Sequence, residues 1–164
     1  MRRIAIARLH FLLRLDEATG FLCWRGASLG HHADDRAGSL KSDGYRRVYI
    51  DGSRIYEHRI TFAMTNGRWP DLHVDHANGV RDDNRPCNLR EATRSQNNAN
   101  SKISLRNTSG LKGVGFHKQI GRFRADIRIE GSLKYLGLFD SAEEAHAAYM
   151  RAAQQFHGQF ARAA

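Results

Sequence analysis

The chain has 164 residues, enough for one domain or two small ones. A formal net charge of +9 and a pI near 10.1 point to a polyanionic partner, nucleic acid first among them. An apolar fraction of 41% allows real cores, and the basic residues are spread through both halves, which excludes a purely disordered basic arm.

The N-terminus, MRRIAIARLHFLLRLDE, is basic and then apolar. Arg8, His10 and Arg14 interrupt the run and no small-residue cleavage site follows, so neither a signal peptide nor a membrane span is expected. An intracellular protein follows from that reading. Ile4, Ile6, Leu9, Leu12 and Leu13 suit a short helix. Residues 12–15 and 21–24 flank Asp16-Glu17-Ala18-Thr19-Gly20 and read as a hairpin. Residues 26–42 read as a polar loop in which His31-His32 and Asp34-Asp35 lack metal-ligand spacing. Cys23 and Cys87 stand far apart, with no C-x-x-C pair. No structural zinc is expected, and each cysteine is read as a small buried hydrophobe.

Residues 45–50 alternate, with Tyr45, Arg47 and Tyr49 on one face and Arg46, Val48 and Ile50 on the other. Asp51-Gly52 is a strong turn signal, and residues 53–56 return as the partner strand. Ile60, Phe62, Ala63 and Met64 then predict a helix over 58–66, ending near Gly67.

The most informative stretch is VDHANGVRDDNRPCNLREATRSQNNAN, residues 74–100. Asp75 and His76 follow the β-favouring Val74. Asn78-Gly79 and Asp82-Asp83-Asn84 form turns, and residues 89–92 suit a second strand. Thr93-x-x-Gln96 is a capping box, so a helix starts there with Asn97 in its first turn. Strand, loop, strand and helix can bring Asp75, His76 and Asn97 together while Asn88 braces the loop. Phosphodiester hydrolysis needs such a set. An imidazole takes a proton from water near neutral pH. A carboxylate and an amide oxygen are hard ligands for an Mg²⁺-type ion.

These residues, with Tyr56-Glu57-His58-Arg59 upstream and Asn88-Leu89-Arg90 inside, resemble the HNH endonuclease motif in its His-Asn-Asn phage and homing form. The resemblance covers residues 44–100. It implies a ββα-metal fold in which His76 is the general base and Asp75 and Asn97 hold one divalent metal, Mg²⁺ or Mn²⁺. Asn88 joins His76 in the catalytic set by fixing the loop that orients it. The last motif position holds Asn97 rather than His, as in one branch of the family. His58 is kept outside the catalytic set as a packing residue. His73 is read as an exposed strand residue on the Asp75 face.

Residues 101–110 are polar and look like a domain boundary. Beyond them, residues 111–116 suit a short strand. Phe123, Ala125, Ile127 and Ile129 alternate with Arg122, Arg124, Asp126, Arg128 and Glu130, giving one apolar and one mostly cationic face. Residues 134–139 make a third strand. Ser141-x-x-Glu144 caps a helix bearing Ala145, Ala148, Tyr149, Ala152, Ala153 and Phe156, with Gly158 as its stop.

Gly113-Val114, Gly121-Arg122-Phe123-Arg124-Ala125, Leu136-Gly137-Leu138-Phe139, Ala145-His146-Ala147-Ala148-Tyr149 and Phe156-His157-Gly158 resemble the APETALA-two/ethylene-response-factor (ERF) DNA-binding domain. The resemblance implies a sheet that reads duplex DNA through Arg122, Arg124, Arg128, Tyr135 and Lys112. Gly115 and His117 stand where plant members often place arginines, so the plant site preference is not carried over. Tyr135 takes the place of a family tryptophan, which leaves Lys134 on the opposite face.

The sequence therefore predicts an α+β protein: an HNH nuclease domain over 1–104, with its motif in 44–102, and an ERF-like domain over 105–164. It would be a metal-dependent DNA endonuclease acting on double-stranded DNA, with no membrane and no obligatory protein partner. A phage origin would place it in a bacterial host's cytoplasm. The competing classes are a DNA-binding regulator with a decayed nuclease half, which the intact Asp75, His76, Asn88 and Asn97 oppose, and an RNA-binding module, which the lack of an aromatic stacking platform opposes.

Overall fold

Short apolar runs punctuated by glycine turns give short elements, and the chain collects them into two compact units, Met1–Glu91 and Ala92–Ala164. The structure, a computed structural model, describes residues 3–28, 30–104 and 106–163. Leu29 in the polar loop, Leu105 at the expected junction, and the expected domain ends at Met1 and Ala164 lie outside the described residues.

In the first unit, α1 (Ile6–Leu12) leads directly into the antiparallel hairpin β1 (Leu13–Asp16) and β2 (Phe21–Trp24), with Asp16 opposite Phe21. Asp16 shapes the turn by accepting the Ala18 amide at 3.0 Å. Gly20 closes it at φ 76°, in the left-handed region. A side chain there would stand 2.3 Å from the Arg85 nitrogen and 2.4 Å from the Asn84 carbonyl carbon. The hairpin turn thus presses on the backbone of a later loop.

A second sheet has the order β3 (Ser39–Leu40), β4 (Arg46–Ile50), β5 (Ser53–Tyr56), all antiparallel. Val48 and Ile50 are buried and Tyr49 is exposed, as the alternation predicts. Asp51 and Gly52 both take positive φ, as a two-residue hairpin turn of this kind requires. The helix α2 (Glu57–Asn66) ends at left-handed Gly67. Leu9, Leu13, Leu22, Val48, Ile50, Ile60 and Ala63 form the core that unites these elements. The short sheet of β6 (His73–His76) and β7 (Leu89–Ala92) completes the unit, with a 3₁₀ turn at Pro86–Asn88 leading into β7.

The polar loop is more ordered than its composition suggests. Cys23 and Arg36 form an isolated bridge, as do Ser28 and His31, and the His31 ring stacks on Trp24 with centroids 4.1 Å apart. Cys23 is half-buried and Cys87 is exposed, so the buried expectation fails for Cys87, which sits in the 3₁₀ turn.

In the second unit, α3 (Arg94–Asn100) starts at a complete capping box: Thr93 Oγ1 accepts the Gln96 amide at 3.2 Å, and Gln96 Oε1 accepts the Thr93 amide at 2.8 Å. Ala92, Ala99 and Phe160 pack together, which places α3 in this unit and sets the division ahead of the 104/105 junction expected from the polar stretch. Strands β8 (Val114–His117), β9 (Arg122–Ile129) and β10 (Ser132–Phe139) form an antiparallel sheet of order β10-β9-β8. Ala125 and Ile127 of β9 lie buried on the side that meets α4 (Ala142–His157), which contributes Ala145, Tyr149, Ala152 and Ala153. Gly113, at φ 78°, lets the chain pass over the Tyr149 ring, where a side chain would meet ring atoms at 2.0 Å. Among the described residues, no helix is long and apolar enough to cross a membrane.

Gly20→Ala combines a left-handed backbone strain of about 1–2 kcal/mol with overpacking of about 1–3 kcal/mol against backbone that cannot swing aside. We expect urea unfolding to show a destabilisation of about 2–4 kcal/mol. A midpoint equal to that of the parent would contradict the close approach.

Candidate active site

Strand β6 buries three consecutive residues, Val74, Asp75 and His76, and exposes His73. His73 therefore does not share the environment of Asp75, although strand alternation puts them on one face. Asp75 receives Arg90 Nε of β7 on Oδ2 at 3.0 Å. His76, 4% exposed, places Nε2 3.0 Å from Asn84 Oδ1. Its ring meets the His58 ring edge-on with centroids 5.1 Å apart, and Tyr45 at 5.9 Å.

Behind His76 lies a chain of polar contacts. Asn84, 1% exposed, donates Nδ2 to Glu57 Oε2 at 2.6 Å. Glu57 opens α2 and is fully buried. Its Oε1 accepts the Leu22 amide of β2 at 3.3 Å. Its Oε2 lies 3.5 Å from Arg36 Nη2 and 3.6 Å from Arg46 Nε of β4. The same two guanidiniums reach Asp82 Oδ1 at 3.3 and 3.4 Å. Burial pushes the Glu57 carboxyl up, against the Leu22 amide, the two arginines and Asn84.

The loop between β6 and β7 is held by Asn88. Its Oδ1 accepts the Asn78 amide at 3.0 Å, and its Nδ2 donates to the Asp83 carbonyl at 2.7 Å and to Asn78 Oδ1 at 3.1 Å. Its carbonyl accepts the Ala77 amide at 2.9 Å. Asp83 is clamped by Arg85 Nε and Nη2 at 2.8 and 2.6 Å, which holds its carboxyl down to about 2. The first unit thus brings Asp75, His76 and Asn88 to one sheet end. Asn97 stands half-buried in α3 of the second unit, its amide bonded to the Thr93 carbonyl at 2.9 Å. Among the described residues, no group of three or more His, Cys, Asp or Glu gathers as a metal cage.

Burial lowers the His76 imidazole below its ordinary range, opposed by the Asn84 hydrogen bond and the Asp75 and Asp83 charges. His58 falls to about 3, through burial first and then the neighbouring His76 and Arg59. Both rings are neutral at neutral pH.

On the second unit, the register sets Tyr135 opposite Asp126 and Lys134 opposite Ile127, so Tyr135 shares the arginine face and Lys134 does not. Arg124 lies 5.2 Å from the Tyr135 ring centroid, and its Nε and Nη2 reach Asp126 Oδ1 at 3.0 and 2.8 Å. Arg122 pairs with Asp140 at 2.9 Å, and Arg128 donates to the Gly131 carbonyl at 2.7 Å. The cationic stripe is therefore partly neutralised by Asp126 and Asp140. Lys112 is placed elsewhere: its ammonium turns onto the carbonyls of Ala99 and of Ser101, the latter at 2.6 Å, and burial lowers it to about 8. It closes the C-terminal end of α3 and is not part of the arginine face.

Residues 56–99 match the family described as HNH endonuclease. Protein 3.8 of Escherichia phage T7 is 33% identical over 119 residues, which span 72% of this chain and 95% of that protein. The chain belongs to the HNH endonuclease family. It is accordingly a nuclease. A solved structure described as DNA binding and cleavage by the HNH homing endonuclease I-HmuI is similar with a TM-score of 0.43 and 19% identity, over 96% of this chain and 91% of that one.

The nuclease carries more around His76 than its motif discloses. Asn84 reads as a turn residue, Glu57 falls in the Tyr56-Glu57-His58-Arg59 run of the resemblance with no role of its own, and Arg36 sits in a polar loop. The one available signal was a glutamate beside apolar strand residues, and charge alone does not say that its carboxylate points inward.

The neutral imidazoles make stability sensitive to acid. The unfolded His58 binds a proton below about 6.5, and the folded one only near 3. Its contribution is thus complete above 6.5 and is lost as the pH falls towards 3, and His76 acts in the same direction. His58→Phe removes one of the two. Its urea midpoint should fall less between neutral and acid pH than the parent's. An equal fall would show that His58 does not titrate against folding.

Proposed function

We propose that the chain hydrolyses phosphodiester bonds in duplex DNA at a ββα-metal type of site centred on Asp75 and His76. The observation that carries this reading is the buried Asp75–His76 pair at the end of β6, its imidazole kept neutral by burial in a chain of the HNH endonuclease family. The net charge of +9 suits a polyanionic substrate. His76 takes the proton of a water whose oxygen bonds to phosphorus. The bond from phosphorus to O3′ breaks, and its electron pair leaves on O3′, which gains a proton from solvent. The products are a 5′-phosphate and a 3′-hydroxyl. Asn88 braces the loop: its amide donates and accepts at once, which an ionised Asp cannot do.

Asp75 and Asn97 would hold a divalent metal. The donor set fits: a carboxylate and an amide oxygen are hard ligands suited to such an ion. Such an ion, Mg²⁺ or Mn²⁺, supplies Lewis-acid stabilisation of the phosphate and the leaving oxygen.

His76→Ala should lose about 10²–10⁴-fold in plasmid nicking while still binding DNA. Asp75→Ala should lose the metal-dependent activity. Chelator should abolish cleavage by the parent. Parent-like nicking by either purified variant would refute the assignment.

The β8–β10 sheet of the second unit is proposed as an ERF-like DNA reader, supported by Arg122, Arg124, Arg128 and Tyr135 on one face. In the His76→Ala chain, which binds without cutting, Arg128→Ala should flatten the log–log salt dependence of binding by about one unit if it meets a phosphate. A base-reading arginine should instead cost about 1–3 kcal/mol at one site position. Unchanged affinity and slope in all three arginine variants would make this face an ordinary solvated one. The setting proposed is a bacterial host cell, given the phage relative.

A further inference from the structure

His76 has two ring nitrogens, and a general base can use only one that lacks hydrogen. The contacts around Glu57 decide which. The Glu57 carboxylate is fully buried and is approached by donors: the Leu22 amide at 3.3 Å, Arg36 at 3.5 Å and Arg46 at 3.6 Å. Burial opposes the charge on Glu57, but the two guanidiniums at Oε2 favour the carboxylate, which only accepts hydrogen bonds, so the Asn84 atom 2.6 Å from it is the amide NH₂. The other end of that amide, 3.0 Å from His76 Nε2, is then its carbonyl oxygen. A carbonyl oxygen cannot donate. Nε2 must carry the hydrogen.

We propose that Glu57 and Asn84 are positioning residues for the hydrolysis: Glu57 holds the Asn84 amide in one orientation, and that amide locks His76 as the Nε2–H tautomer, making Nδ1 the nitrogen that takes the proton. The proposal rests on His76 being the base. The proton from water goes to Nδ1, giving an imidazolium whose Nε2–H still points at Asn84 Oδ1, so the hydrogen bond survives the transfer. The edge-on His58 ring at 5.1 Å packs against the imidazole and opposes a ring flip that would exchange the two nitrogens. Gly20, against the Asn84–Arg85 backbone, sets the height of the amide. Arg36 and Arg46 keep the carboxylate in place, and Asp82, which both also reach, shares their charge.

The test is nitrogen NMR of ring-labelled full-length protein without metal at pH 8, paired with plasmid nicking in Mg²⁺. In the parent, the His76 Nε2 signal should lie in the protonated range and Nδ1 in the unprotonated range. Asn84→Leu, which keeps the volume and removes the acceptor, should average the two signals and lower kcat about 10- to 100-fold, with KM held. Glu57→Gln, whose amide both donates and accepts, frees the Asn84 amide to turn over and should weaken the Nε2–H preference. An Nδ1–H tautomer in the parent would overturn the proposal even if the leucine variant fails to fold. So would a folded Asn84→Leu with the parent's tautomer and kcat. The expected tautomer in a parent that does not cut DNA would support the lock and refute the nuclease reading of this site.

Discussion

One buried carboxylate constrains the first unit. Removing Glu57 from water costs several kcal/mol unless its oxygens are satisfied. The chain meets that demand from four places: the Leu22 amide of β2, the Asn84 amide of the β6–β7 loop, Arg36 beside the Cys23 bridge and Arg46 of β4. The hairpin, the polar loop, the central sheet and the candidate active-site loop are thereby tied to the first residue of α2. Replacing one partner leaves a charge or a polar group unpaired, so these segments hold their positions together. A hydrophobic residue at position 57 could satisfy the core but could not orient an amide.

The same argument explains why the loop carrying Asn84 needs Asn88. Glu57 holds the loop from inside, and Asn88 closes it across Asn78 and Asp83. Gly20 removes the side chain that would push it outward. Three independent constraints on one short loop are more than folding alone asks of an exposed turn. They fit a loop whose polar atoms must stand at fixed distances from a reacting group.

Elements with strong local signals were legible. The Asp51-Gly52 hairpin, the Thr93 capping box and the β9 alternation each rest on short-range chemistry that the sequence states directly. Tyr135 reaches the arginine face through a register shift between Tyr135 and Gly137, so the resemblance at Tyr135 and not the strand period carried that placement. What escaped depends on where a long side chain turns. Lys112 reads as a basic residue near a DNA face, yet its ammonium turns onto two backbone carbonyls. Arg122 and Arg124 read as a free cationic stripe, yet Asp140 and Asp126 hold them. Cys87 reads as core and sits exposed. Polarity marks 101–110 as the junction, while the packing of Ala99 with Phe160 groups α3 with the second compact unit, a long-range contact that composition does not state.

The two imidazoles show how function and stability oppose each other here. The base proposed at His76 must be deprotonated near neutral pH, and burial lowers the imidazole in that direction. Placing His58 edge-on at 5.1 Å gives the ring an aromatic wall that is itself uncharged at neutral pH. When His76 takes up its proton it becomes the single cation of the pair, and the Asp75 and Asp83 charges favour that state. Were His58 exposed and charged, the proton transfer would be opposed by a second cation at contact distance. The arrangement therefore couples a fold that weakens in acid to an imidazole that is neutral at neutral pH, the state the proposed base requires. The acid sensitivity is a consequence of burying the two imidazoles and not a separate device.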